Sequence, residues 1–184
     1  MEGKLANPAP LGLMGFGMTT VLLNVHNAGF YPLGSMILAM GMFYGGLAQI
    51  LAGIMEFKKG NTFGLTAFTS YGCFWLSLVG IMLMPKLGWS EPAPEGFMGC
   101  YLVAWGGFTF FMFLGTLGGH TASKVVFGSL TILFGLLAAH AWTDSEAIGR
   151  LAGYEGIFCG TSACYQAVAE VLNEAYGRTI LPIG

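Results

Sequence analysis

The sequence predicts an all-α integral membrane protein, and three observations carry that prediction. Charged side chains make up only 9% of the chain and apolar ones 55%, whereas a soluble domain carries ~25% charge. Apolar stretches of bilayer-spanning length, ~20 residues each, follow one another with short breaks through all 184 residues. Thirty glycines suit helices that pack closely in lipid, where small residues let backbones approach. The net charge of -2 offers no basic surface to nucleic acid. Cys73, Cys100, Cys159 and Cys164 lie in apolar stretches without a C-x-x-C pair, so neither a disulfide framework nor a zinc site is expected.

Six spans account for nearly the whole chain, which forms a single transmembrane domain over 1–184. The first covers 8–28, with Asn7 as expected N-cap and Pro8 at the first helical position. A cleaved leader is not expected, because Asn7-Pro8-Ala9-Pro10 interrupts the chain soon after Lys4. Gly29 and Pro32 end this span, and the second covers 33–55. The charged turn from Glu56 to Asn61 leads to the third, 62–84. The longest loop, from Pro85 to Glu95, precedes the fourth, 96–117. Gly118-Gly119-His120 leads to the fifth, 121–142, and Asp144-Ser145-Glu146 to the sixth, 148–175. Lys and Arg set the orientation. With the N-terminus inside, the inner segments hold Lys4, Lys58, Lys59, Lys124 and Arg178, and the outer ones only Lys86 and Arg150. Both termini are therefore expected in the cytoplasm, with spans one, three and five running outward in parallel.

A plain anchor needs only leucine, but these spans carry polar stripes at helical spacing. Span one has Thr20, Asn24 and Asn27; span three has Thr62, Thr66, Thr69, Cys73 and Ser77. Gln49 and Glu56 lie two turns apart in span two, and Gln166, Glu170 and Asn173 share a face of span six. Polar groups at membrane depth must find partners or water. Interhelical hydrogen bonds would satisfy any one of them, while the stripes together favour an aqueous path. Gly149, Gly153, Gly156 and Gly160, and separately Gly41 and Gly45, are expected to pack helices together. No H-E-x-x-H, G-x-S-x-G, Walker A or dinucleotide-binding glycine pattern is present, so an enzyme, a metal and a cofactor are not expected. His26, His120 and His140 sit at loop edges without an i+4 partner.

The segment NPAPLGL at 7–13 resembles the signature of the acetate uptake transporter family, the succinate–acetate permeases. The likeness continues in MGFGMTT at 14–20, MFYGGLAQI at 42–50, EFKKGNTFGLTAFTSYG at 56–72 and EVLNEAYGRTILPIG at 170–184. The resemblance implies a multi-pass protein of the bacterial inner membrane, a homohexameric ring with one pore per protomer, and acetate as substrate. Succinate, formate and propionate would pass more weakly. It also implies a pore constriction at Phe16, Tyr71 and Leu130, with Ala163 in the pore lining. The three constriction positions fall on the parallel spans, each roughly 12–15 Å from its inner end at the helical rise. They can therefore meet at one depth.

On this reading Asn7, Thr20, Asn24, Gln49, Thr69, Ser70 and the Tyr71 hydroxyl offer successive weak donors to a carboxylate. Phe16 and Leu130 would pack its methyl end and exclude wider solutes. Asn7 either caps its helix or gathers the anion at the inner mouth. Glu56 and Glu170 are candidates for a proton or gating role, or for salt bridges to Lys58, Lys59 or Arg178. An anion channel and a proton symporter both fit the residues. The alternatives are a channel for another small solute, such as ammonium or urea, and a non-transporting sensor or scaffold.

Overall fold

The computed structural model describes residues 5–94 and 96–184; Lys4 and Glu95, used above for orientation and for the longest loop, lie outside the described residues. Among the described residues there are six long helices and no strand. They are α1 Ala9–Asn27, α2 Ser35–Lys58, α3 Thr62–Leu83, α4 Phe97–Thr116, α5 Thr121–Thr143 and α6 Glu146–Tyr176. Helices α2 to α5 are long and apolar enough to cross a membrane.

The start of α1 differs from expectation by one residue. Pro8, not Asn7, stands at the cap, and its φ of -82° and ψ of -13° already follow the helical backbone. Its carbonyl accepts from Leu11 and Gly12 at 3.1 and 3.3 Å. Asn7 contributes a longer contact, its Oδ1 accepting from the Ala9 N–H at 3.3 Å. This frees most of the Asn7 side chain for distant partners. The turn between α2 and α3 follows from two residues. Gly60 takes φ +69°, a conformation disfavoured for side chains with a Cβ. Asn61 then caps α3 by accepting from the Gly64 N–H at 3.0 Å.

The middle of α2, Gly41–Ala48, is wound as a π-helix. Such wide turns are rare and shift the facing of everything beyond them. Here the glycine-rich stretch GMFYGGLA accommodates the widening. Beyond it Gln49 and Glu56 both point into the bundle, 1% and 0% exposed.

Each helix packs on the next in the chain, and α6 closes the ring on α1. The closing seam is lined with glycine. A methyl at Gly160 would fall 2.7 Å from the Gly17 carbonyl, one at Gly153 on the Ala28 backbone, and one at Gly156 on the Asn24 carboxamide. Gly41 and Gly45 play the same part toward the Trp75 ring of α3. The α3–α4 seam is aromatic instead. Phe74 stacks on Tyr101 at 5.8 Å, and the Tyr101 hydroxyl reaches Ser77 at 2.7 Å. Residues after α6 fold back onto the start of α5, where the Ala122 N–H donates to Ile183 O at 2.9 Å. Exposed Phe97, Phe110, Phe111 and Leu114 of α4 face outward, as a lipid-facing helix requires.

The glycine seam makes a prediction. Gly160→Leu forces α1 and α6 apart and should destabilise by about 1–3 kcal/mol or more. Thermal unfolding in detergent should show a midpoint several degrees lower. Gly107→Ala, where an added methyl meets nothing, should not lower the midpoint and should raise it slightly through helix propensity.

Candidate functional site: a constricted path between α1, α3 and α5

Three helices supply most of the wall of a small internal cavity. Leu13 and Phe16 come from α1, Ala67, Phe68 and Tyr71 from α3, and Val126, Phe127 and Leu130 from α5; Gln49 of α2 completes the wall. The volume is about 20 Å³, room for about one water molecule. The structure therefore shows a closed gap. Phe16, Tyr71 and Leu130 are brought together here, as the shared depth on parallel spans led one to expect. The Phe16 and Tyr71 rings lie 6.0 Å apart, and Tyr71 and Phe127 6.1 Å apart. All are buried. Small neighbours make the rings fit: a methyl at Gly12 would collide with the Phe68 ring.

The polarity of this gap differs from the simple expectation of hydroxyl donors. The Tyr71 hydroxyl donates to Thr109 Oγ1 of α4 at 3.0 Å, away from the cavity wall. Gln49 is the polar side chain left on the wall. Its Oε1 has no hydrogen-bond partner among the described residues. Thr69 Oγ1 sits in the α2–α3 seam, where a methyl at Gly53 would strike it. Ser70 is half-buried and Ala163 fully buried in the core, and neither lines the cavity.

Toward the Asn7 end of the bundle lies a polar cluster that links α1, α2, α3, α5 and α6. Fully buried Glu56 accepts through Oε2 from Asn61 Nδ2 at 2.8 Å, with Lys59 Nζ at 4.0 Å. Its Oε1 has no partner among the described residues. Lys59 Nζ donates to Asn7 Oδ1 at 2.9 Å, and Asn7 Nδ2 donates to Glu170 Oε2 at 2.9 Å. Gln166 Nε2 reaches both Glu170 Oε1 and Ser123 Oγ at 2.9 Å. Asn7 thus bridges the surroundings of the two acidic residues. Of the salt bridges weighed from sequence, Lys59 with Glu56 is present, while Glu170 is held by amides.

On the other side of the gap, Thr20 is buried and its Oγ1 has no partner among the described residues. Asn24 is occupied within its own helix, donating to Thr20 O at 2.9 Å and accepting from Asn27 at 3.0 Å. Beyond Asn27 opens a basin of about 300 Å³ lined by His26, Asn27, Leu137, His140, Glu146 and Arg150. Each histidine is oriented through Nδ1 by a backbone carbonyl, Tyr31 O at 2.8 Å and Ser145 O at 3.0 Å. Arg150 pairs with Glu146 at 3.6 Å. Sequence reasoning passed over this basin, because the end of α1 meets the α5–α6 junction more than a hundred residues away in the chain. It also passed over Thr109, one hydroxyl in an aromatic run with no periodic signal.

Comparison with known proteins matches this arrangement closely. Residues 1–182 match the GPR1/FUN34/yaaH family. The succinate-acetate/proton symporter SatP of Escherichia coli K12 is 63% identical over 181 residues, covering 98% of this chain and 96% of that protein. Acetate permease A of Emericella nidulans is 33% identical, covering 98% of this chain and 66% of that protein. The solved structure of the bacterial acetate channel SatP superposes with a TM-score of 0.97 at 63% identity, covering 98% of this chain and all of that one. The named relatives are transport proteins. A ring of helices around a closed aromatic gap, shared from end to end with such proteins, makes this chain a member of the GPR1/FUN34/yaaH family.

Proposed function

We propose that the protein carries acetate and other small carboxylates, succinate among them, across the bacterial inner membrane. The observation that carries this reading is the closed, buried gap where α1, α3 and α5 meet. It lies in a chain similar over 98% of its length to a succinate-acetate/proton symporter and to an acetate channel. On this reading all six helices cross the membrane and both termini are cytoplasmic. The protomers form a hexameric ring, each with its own path.

Physical chemistry supports a filter at Phe16, Tyr71 and Leu130. The gap is apolar apart from Gln49, and no lysine or arginine lines it. A fixed cation there would hold a carboxylate tightly and slow its release. The Gln49 amide instead offers a weak contact to the charged end, while Phe16 and Leu130 meet the methyl end. Donors on either side, Asn7 within and Thr20 without, serve as approach sites.

The same dryness supports coupling to protons. An ionised carboxylate entering an apolar gap loses hydration worth several kcal/mol unless its charge is compensated. A proton travelling with it removes that cost. Glu56 and Glu170 are the proton carriers on this reading. Glu56 is fully buried with one oxygen unpartnered, which leaves a place for a proton. Ionisable groups at membrane depth are costly and are usually retained for function.

Purified protein in liposomes should take up labelled acetate, faster with an imposed inward proton gradient, and propionate or formate should compete. Flux no greater than in empty liposomes would refute transport of this substrate and favour another solute or a sensor role.

Phe16→Ala or Leu130→Ala should raise uptake of larger carboxylates relative to acetate, by about tenfold if the filter excludes them through one lost apolar contact. Unchanged selectivity in either variant removes that residue from the filter. For Glu56→Gln, acetate uptake driven by the proton gradient should fall to the level seen without one. A full response to the gradient in this variant would show that Glu56 carries no proton.

A further inference from the structure

We propose that Thr109 of α4 is a specificity-determining positioning residue: it holds the Tyr71 hydroxyl out of the path, so that the constriction presents a ring without a hydrogen-bond donor. The inference rests on the constriction reading above and goes beyond it, since α4 supplies no residue to the cavity wall.

The direction of the hydrogen bonds is what makes the case. Thr109 is 0% exposed, and its Oγ1 donates to the Trp105 carbonyl at 2.8 Å. A hydroxyl has one proton to donate. With that proton spent on Trp105, Thr109 Oγ1 meets Tyr71 only as an acceptor. The Tyr71 O–H must therefore donate to it, at 3.0 Å. A proton committed in this way is not available to a passing carboxylate. The ring itself is wedged by Trp105 at 6.4 Å and Phe108 at 5.5 Å on the α4 side.

The alternative partner is visible on the same cavity. Gln49 lines the same cavity as Tyr71, and its buried Oε1 has no partner among the described residues. If Thr109 is lost, the Tyr71 hydroxyl is left buried without its acceptor, a state proteins avoid. Gln49 Oε1 then becomes the acceptor it turns to. A Tyr71–Gln49 hydrogen bond would run across a gap that holds about one water molecule. It would bar the path and place a polar link where the solute must pass.

The test uses variants of the full-length protein in liposomes. Valine matches threonine in shape and removes only the hydroxyl. Thr109→Val should lower acetate uptake about fivefold to tenfold, the scale of one misplaced hydrogen bond. Thr109→Ser, which keeps the hydroxyl, should restore uptake to within about twofold of the native rate. Tyr71→Phe combined with Thr109→Val should match Tyr71→Phe alone, because no hydroxyl remains to cross the gap. Native uptake by Thr109→Val would overturn the proposal. So would a double variant slower than Tyr71→Phe alone, since Thr109 would then act only on the fold. If Thr109→Val does not fold, the comparison of the double variant with Tyr71→Phe decides alone, as neither leaves a tyrosine hydroxyl stranded. The constriction reading fails separately, through unchanged selectivity in both Phe16→Ala and Leu130→Ala. Widened selectivity there with an inert Thr109→Val would overturn only the role of Thr109.

Discussion

The close approach of α1 to α6 is the contact on which the rest of the bundle depends. Five of the six seams join helices that follow one another in the chain. The sixth must join its first helix to its last, and it does so nearly backbone to backbone at Gly17, Gly153 and Gly160, with Gly156 seating the Asn24 side chain. Lipid gives little hydrophobic drive for helices to associate, so close dispersion contact has to supply it. The same seam sets the height of α1. It places Phe16 opposite Tyr71 and brings Asn7 within 2.9 Å of Glu170. A side chain at any of these glycines would displace the gap and the inner cluster together.

Around that seam the interior is sorted by polarity. The middle is aromatic and aliphatic, with one carboxamide on its wall. The end near Asn7 is a chain running from Glu56 through an ion pair to Lys59, then by hydrogen bonds through Asn7 to Glu170. The opposite end is a basin with two histidines and an arginine. This sorting follows from the cost of burying charge, which is lowest where water reaches. It also keeps strong anion sites away from the narrowest point, where tight binding would slow passage on the proposed route.

Much of this was legible in the sequence, for physical reasons that differ from element to element. The helices were readable because backbone groups in lipid must pair within the helix, which leaves hydropathy and breaks as sufficient signals. The structural boundaries fall within three residues of those read from sequence. The glycine face of α6 was readable from its 3.6-residue period. The meeting of Phe16, Tyr71 and Leu130 came from resemblance, supported by their equal depth; their side chains carry no pattern that separates them from lipid-facing residues. What stayed hidden depends on partners distant in sequence. The Tyr71–Thr109 bond joins α3 to α4, and the Asn7 bridge spans 163 positions. The π-wound stretch of α2 was also hidden, since GMFYGGLA reads as an ordinary apolar helix.

The closed gap and its tethers constrain how a path could open. A space of about 20 Å³ holds no carboxylate, so passage on the proposed route requires some wall residue to move. Tyr71 is poorly placed to do so, because a hydrogen-bond chain through Thr109 to the Trp105 carbonyl holds its outer end. Backbone motion of α1 is opposed by the glycine seam, where a shift would break close contacts along several turns at once. Phe16 and Leu130 are different. Dispersion alone holds their side chains, and a change of rotamer breaks no hydrogen bond. Widening the gap therefore costs least through these two side chains, with Tyr71 as the fixed wall against which they open.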